Sequence, residues 1–191
     1  MCWIKKPWCI SSLAVFGFTI YFLLRGNYEF LVYAAVLALL IWIIARTDKI
    51  FHYSNFAKWG FVVWLFCHML GGAASINGTR LYDTILINII SAPYYLLRYD
   101  QIIHAFCYFV ITLFVYSIIA YAAKPKTNRF LVIAITFAAT MGISALNEIV
   151  ELSTVILFNS SAAVGDYYNN ALDLAFNAIG SLIALFFTQK K

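Results

Sequence analysis

Long apolar blocks dominate this sequence, and several reach the ~20 residues that an α-helix needs to cross ~30 Å of hydrocarbon. Apolar residues make up 64% of the 191-residue chain and charged residues only 11%, whereas a soluble domain carries roughly 25% charged residues. So few charges cannot cover a surface that faces water. We therefore predict an all-α integral membrane protein, with residues 1–191 forming a single membrane domain.

The apolar blocks and the polar breaks between them predict six transmembrane helices, near residues 8–24, 28–45, 59–76, 101–122, 130–157 and 171–188. The start of the chain is similar to a signal peptide, because Lys5 and Lys6 precede the first apolar block. No small-x-small cleavage site follows before Arg25, however. We interpret this block as a retained first helix.

Lysine and arginine are distributed unevenly between alternate breaks, which predicts the orientation of the helices. One side carries ten of them: Lys5, Lys6, Arg46, Lys49, Lys58, Lys124, Lys126, Arg129, Lys190 and Lys191. The other side carries three: Arg25, Arg80 and Arg98. The positive-inside rule then places both termini in the cytosol. Because these charges serve to orient helices, the net charge of +5 does not indicate nucleic-acid binding.

The longest break on the predicted outer side contains a second apolar stretch, from Ile85 to Leu97. This stretch is too short to span the bilayer, so we expect it to lie in the membrane interface or to re-enter the membrane. Asp83, which precedes it, is expected to be solvated.

Ionisable side chains inside a membrane are costly, so each requires a partner, a water-filled cavity or a function. Helical spacing places several of them in pairs on one face of a helix. The pairs are Asp100 with His104, Glu148 with Glu151, and Asp173 with Asn177; His68 lies alone in the third helix, and Asp166 precedes the sixth.

The depths of these residues follow from a rise of ~1.5 Å per helical residue. Helices four and six start at the outer side, so His104 and Asp173 are expected roughly 6–8 Å below the outer surface. Glu148 rises from the cytosolic side to nearly the same level. We therefore predict one polar site in the outer half of the membrane, with His68 and Asn177 at its floor.

Histidine and carboxylate side chains are typical ligands of Zn²⁺, Mn²⁺ or Mg²⁺, and His68, His104, Glu148 and Asp173 are the predicted ligands. Any of the carboxylates that the metal leaves free could act as an acid or base, so all four, Asp100, Glu148, Glu151 and Asp173, are candidate catalytic residues, supported by Asn177 and Asp166. The same groups could instead form a proton or cation path, or a hydrogen-bonded network that only ties helices together.

These residues give the chain a resemblance to two families. The spacing of Asp100 with His104, Glu148 with Glu151, and Asp173 with Asn177 is similar to that of VanZ-like membrane proteins, although Glu151 replaces their usual Gln. His68 with the following Gly71-Gly72 resembles YjdF-type inner-membrane proteins, a family of unknown function. The VanZ-like resemblance implies a connection to the cell envelope and names no substrate.

We expect a multi-pass protein of a prokaryotic cytoplasmic membrane. The favoured hypothesis is a metal-assisted hydrolase or transferase that acts on a lipid or lipid-linked envelope substrate. The alternatives are an ion-coupled transporter and a non-enzymatic membrane scaffold.

Overall fold

The computed structural model describes residues 7–92, 94–158 and 167–188. Six helices are long and apolar enough to cross a membrane, which confirms the predicted all-α, multi-pass architecture. They are α1 (Pro7–Arg25), α2 (Tyr28–Phe51), α3 (Asn55–Ala73), α4 (Tyr99–Ala122), α5 (Arg129–Phe158) and α6 (Tyr167–Thr188).

The predicted helix boundaries are wrong by several residues around the break between α2 and α3. The polar residues from Arg46 onward suggested a loop, yet α2 continues to Phe51 and α3 begins at Asn55. A helix needs only its backbone hydrogen bonds to continue past the apolar block, and Ser54 caps α3 by accepting from the Ala57 amide at 3.1 Å. The connection is therefore only three residues long.

The bundle has two different cores. Helices α1 to α4 enclose an aromatic and aliphatic core that includes Phe22, Phe30, Phe61, Leu65 and Met69. Helices α4 to α6 instead bury a row of polar side chains, among them Thr136, Thr140, Ser144, Asp173 and Asn177. Large apolar side chains cover much of the exterior. A polar interior with an apolar exterior suits a bundle that faces lipid.

Two small antiparallel hairpins occupy the break between α3 and α4. β1 (Ser75–Ile76) pairs with β2 (Thr79–Arg80), and β3 (Ile85–Ile90) pairs with β4 (Leu96–Arg98). Asn77 and Gly78 join the first pair with positive φ angles of 51° and 81°, as a two-residue hairpin turn requires. We call the end of the bundle that carries these hairpins the hairpin end.

The apolar stretch after Asp83 is therefore a strand pair, because its run of isoleucines favours extended backbone. All six side chains of β3 are exposed, and their location in the membrane interface remains a prediction. At the opposite end of the bundle, Lys58 Nζ lies 3.2 Å from Asp48 Oδ2. This ion pair joins α2 to α3.

α4 and α6 pack closely where Gly180 lies against α4. A Cβ added at Gly180 would overlap the Ala105 carbonyl oxygen. This missing side chain lets the two backbones approach, as small residues do between membrane helices. The same approach brings the polar face of α6 against His104.

We predict that Gly180→Ala destabilises the protein by about 1–3 kcal/mol, because the added methyl group must displace backbone. Thermal unfolding of purified protein in detergent would measure this change. Gly142→Ala is the matched control, since a Cβ there meets no atom within 4 Å and alanine favours a helix. An unfolding temperature of Gly180→Ala equal to that of the wild type would contradict this account of the packing.

Candidate metal centre

His104 is the centre of a buried cluster formed by α4, α5 and α6. Its Nε2 atom lies 3.4 Å from Asp100 Oδ1 and 3.5 Å from Glu151 Oε1. Its Nδ1 atom lies 3.7 Å from Glu148 Oε1 and 3.2 Å from Asn177 Oδ1. One imidazole therefore contacts side chains from all three helices.

Asn177 fixes the orientation of this imidazole. Its amide nitrogen donates to Ser144 Oγ at 2.7 Å and to Glu148 Oε1 at 3.4 Å. Its carbonyl oxygen is then the atom that faces His104 Nδ1, so Nδ1 must carry a proton and donate to it. In the neutral imidazole, Nε2 consequently keeps a free lone pair on the side of Asp100 and Glu151.

Asp173 is fully buried next to this imidazole. Its Oδ2 atom accepts from the side-chain amide of Asn169, one turn earlier on α6. The side-chain oxygen of Asn169 in turn accepts from the Arg98 guanidinium at 3.3 Å. Asp173 Oδ1 has no hydrogen-bond partner among the described residues, and neither does Glu148 Oε2. Buried acceptors without partners are uncommon and are a sign of a missing proton, water or ion.

Two sets of three side chains have the geometry to hold one metal ion. In each set the ligand atoms lie within 4.8 Å of one another: Asp100, His104 and Asp173 form the first set, and His104, Glu148 and Glu151 form the second. Zinc binds nitrogen and oxygen ligands at about 2.0–2.2 Å. Small side-chain movements would therefore bring either set into contact with one ion.

Helical spacing explains why these side chains meet. Asn169, Asp173 and Asn177 follow one another at intervals of four residues and form the buried face of α6. Ser144 and Glu148 are likewise four apart on α5. Each helix thus presents one polar stripe to the other two.

A second polar layer covers the cluster toward the hairpin end. Tyr82, between the two hairpins, packs its ring where a Gly71 side chain would stand, and its hydroxyl lies 2.5 Å from His68 Nδ1. Burial raises the pKa of Tyr82 well above its ordinary value, so the hydroxyl keeps its proton. Tyr82 and His68 therefore share a hydrogen bond.

Arg80 ties this layer to α2. Its guanidinium lies 3.3 Å from Glu29 Oε2 and 2.9 Å from Asp83 Oδ2. A cavity of about 20 Å³ remains between these groups, His68 and the cluster. This volume is enough for one water molecule.

The structure brings together most of the residues that the sequence singled out. Asp100, His104, Glu148, Glu151, Asp173 and Asn177 form the cluster. His68 belongs to neither set of metal-capable side chains in the described chain and lines the adjoining cavity instead. Asp166 lies outside the described residues.

The sequence analysis did not include Glu29 and Arg80 in the site. It expected Asp83 to be solvated, and the Asp83 side chain is 33% exposed and also pairs with Arg80. A signal was present, since Arg80 and Asp83 stand three residues apart beside Tyr82. Only the hairpin turn at Asn77-Gly78 brings this segment back over the bundle.

Comparison with known proteins supports the membrane assignment. The sequence model of a family described as "Predicted membrane protein (DUF2238)" matches residues 7–190. The chain belongs to the DUF2238 family of predicted membrane proteins. This membership is consistent with the YjdF-type resemblance, while the VanZ-like resemblance remains a prediction. A search of curated proteins and a search of solved structures each found no match.

We predict that Asn177→Ala destabilises the protein by about 1–3 kcal/mol, because it leaves buried polar groups on α4 and α5 without their partner. Chemical or thermal unfolding in detergent would measure the loss. Asn170→Ala is the control, since Asn170 is on the same helix but outside its fully buried polar stripe. Equal stability of the two variants would show that the amide does not hold the cluster together.

Proposed function

We propose that the cluster around His104 binds one divalent metal ion and that the protein is a metal-assisted hydrolase or transferase acting on a lipid or lipid-linked substrate. The observation that carries this proposal is the crowding of four carboxyl groups around a single imidazole in a buried site.

Charge balance supports a cation. Within the described chain, His104 is the basic side chain in ion-pair contact with these carboxylates, and it can supply one positive charge at most. Arg80 is already paired with Glu29 and Asp83. Burying carboxylates without compensation costs several kcal/mol per ion. A divalent cation, with protons on the remaining carboxyl groups, would remove most of that cost.

The set formed by Asp100, His104 and Asp173 is the better ligand set. His104 offers Nε2, because its Nδ1 donates to Asn177, and a hydrogen bond on the second nitrogen is the usual way to orient a metal-binding histidine. Asp173 offers Oδ1, which lacks a partner among the described residues. One nitrogen and two carboxylate oxygens leave an open position, as catalytic sites require.

The second set would then supply acid and base groups. Glu148 Oε2 has no hydrogen-bond partner among the described residues, and the Asn147 amide donates to Glu151 Oε1 at 2.7 Å. An ion at the first set would activate water and polarise a phosphoryl or carbonyl oxygen. Glu148 or Glu151 would accept the proton of the attacking water and return it to the leaving group.

A lipid or lipid-linked substrate fits a site of this kind because the cluster lies inside a bundle of membrane-crossing helices. On the predicted orientation it faces the extracytoplasmic half of a prokaryotic cytoplasmic membrane, where envelope lipids are processed. The VanZ-like resemblance, with its implied connection to the cell envelope, supports the same location.

We predict that purified protein contains close to one equivalent of Zn²⁺, Mn²⁺ or Mg²⁺ and that Asp173→Asn loses it. Because loss of a residue that only orients a ligand costs about 10–100-fold in metal affinity, loss of a ligand should cost at least as much. Metal analysis after gel filtration would measure the content, and thermal unfolding with and without chelator would measure the stabilisation.

Asp48→Asn is the matched control, because Asp48 forms a partly buried ion pair with Lys58 at the opposite end of the bundle. It should keep its metal. If the purified wild-type protein contains no metal and is equally stable with and without chelator, the proposed metal site is wrong. The cluster is then a structural hydrogen-bonded network.

Ion-coupled transport is the second candidate, favoured by the row of buried hydroxyl groups that continues from the cluster along α4 and α5. Thr112 and Thr136 belong to this row, but each donates to the carbonyl four residues earlier in its own helix. Thr140 is the member whose hydroxyl has no partner among the described residues.

We predict that proteoliposomes containing the wild-type protein show no more proton or divalent-cation flux than empty liposomes, because Thr112 and Thr136 already donate within their own helices and Thr140 alone does not form a continuous path. Internal pH-sensitive and metal-sensitive dyes would measure the flux. A flux that is present in the wild type and absent in Thr140→Val would favour transport over hydrolysis.

A further inference from the structure

A narrow apolar cleft leads from the lipid-facing surface to the cluster. It has a volume of about 320 Å³ and lies between α2, α3, α4 and α5. On α2 its wall is formed by one helical face, with Tyr33, Leu37, Leu40, Ile44 and Thr47. Fourteen residues separate the ends of this face, which corresponds to a length of about 21 Å.

The cleft follows the boundary between α2 and α5. At the hairpin end the two helices are joined by Tyr33 and Thr154, whose hydroxyl oxygens lie 3.4 Å apart. Further along, Ile43 on α2 and Ile143 and Leu146 on α5 line the cleft, and each is more than a third exposed. The cleft is therefore open sideways, toward the acyl chains of the bilayer.

Polar groups of the site lie along one part of this apolar wall. Glu151, Asn147 and His68 line the cleft, and Glu151 Oε1 is also 3.5 Å from His104 Nε2. Glu151 is thus the side chain at which the cleft meets the cluster. A molecule lying in the cleft with a polar end near Glu151 would reach the candidate metal ligands.

The dimensions select one type of occupant. The cleft has a volume of about 320 Å³ and a length of ~21 Å, so it is long and narrow. An extended hydrocarbon chain, with a contact diameter of ~4 Å, has this shape. A transmembrane helix, about 10 Å across and of the same length, needs roughly 1,600 Å³ and does not fit. The apolar walls and the narrow shape therefore suit a hydrocarbon chain.

We propose that the cleft between α2 and α5 receives one hydrocarbon chain of a lipid substrate from within the membrane and delivers its head group to the cluster past Glu151. This inference rests on the proposed function and deepens it by assigning the substrate class and its route. Because bilayer chains are as apolar as the wall, the chain contributes little affinity and serves to position the lipid. The head group would supply the binding free energy.

Photo-crosslinking in vesicles tests the route. The probe is a phospholipid with a diazirine in one acyl chain, incorporated at low level into phosphatidylglycerol and phosphatidylethanolamine vesicles that contain the full-length protein. We expect adducts at Cys107 and Ile111, which line the cleft on α4 and are partly exposed. Variants that fill the cleft distinguish this labelling from labelling by lipid on the outside of the bundle.

Cleft-filling variants provide the comparison. Val150→Trp places an indole in the cleft. Ile149→Trp changes the neighbouring residue, whose side chain is 57% exposed on the outside of α5. We expect the adducts at Cys107 and Ile111 to fall to the level without irradiation in Val150→Trp and to remain in Ile149→Trp. If Val150→Trp fails to fold, Leu40→Trp with Leu39→Trp as its control gives the same comparison on α2.

Wild-type protein without these adducts, or equal labelling of the filled and control variants, would overturn the proposal. Metal content measured on the same samples separates this outcome from failure of the proposed function. Bound metal without labelling of the cleft would reject only the lipid route. Labelling without metal would reject the metal centre and keep the cleft as a lipid-binding site.

Discussion

The burial of four carboxyl groups around one imidazole is the constraint on which the rest of this structure depends. Each carboxylate that leaves water carries a cost that an apolar bundle cannot offset by packing alone. The contacts around His104 depend on three features: the polar stripes of α5 and α6, the amide of Asn177, and the close approach of the backbones at Gly180. Without them, Asp173 and Glu148 would face lipid, where an unpaired charge is costly.

The polar cluster also explains the uneven packing of the bundle. α4 and α6 are held together tightly because their backbones approach and their polar groups bond. α2 and α5 share a hydroxyl contact near the hairpin end, and further along both helices line the cleft. In lipid such a gap costs little, since acyl chains fill it as well as leucine side chains do. A membrane protein can therefore keep an apolar cleft that a soluble protein would have to fill.

The sequence predicted the clustering of these side chains better than it predicted the layer of Tyr82 and Arg80 that covers them. Helical spacing and alternating direction were sufficient to place Asp100, His104, Glu148 and Asp173 at one level, because depth in a membrane helix depends almost entirely on residue number. Arg80 could not be placed in this way. It lies in non-helical chain, where a single turn residue changes the direction of everything that follows.

The two cavities give the proposed hydrolysis a consistent arrangement. Tyr33, His68 and Glu151 line both the water-sized cavity near the hairpins and the apolar cleft. Arg80, Glu29 and Tyr82 leave space for about one water on the hairpin side, which is too little for a lipid head group to pass. In the proposed reaction, the lipid would arrive through the cleft and the water from the hairpin end. Glu151 lies between the two cavities, where it would accept the proton of the attacking water and return it to the leaving group.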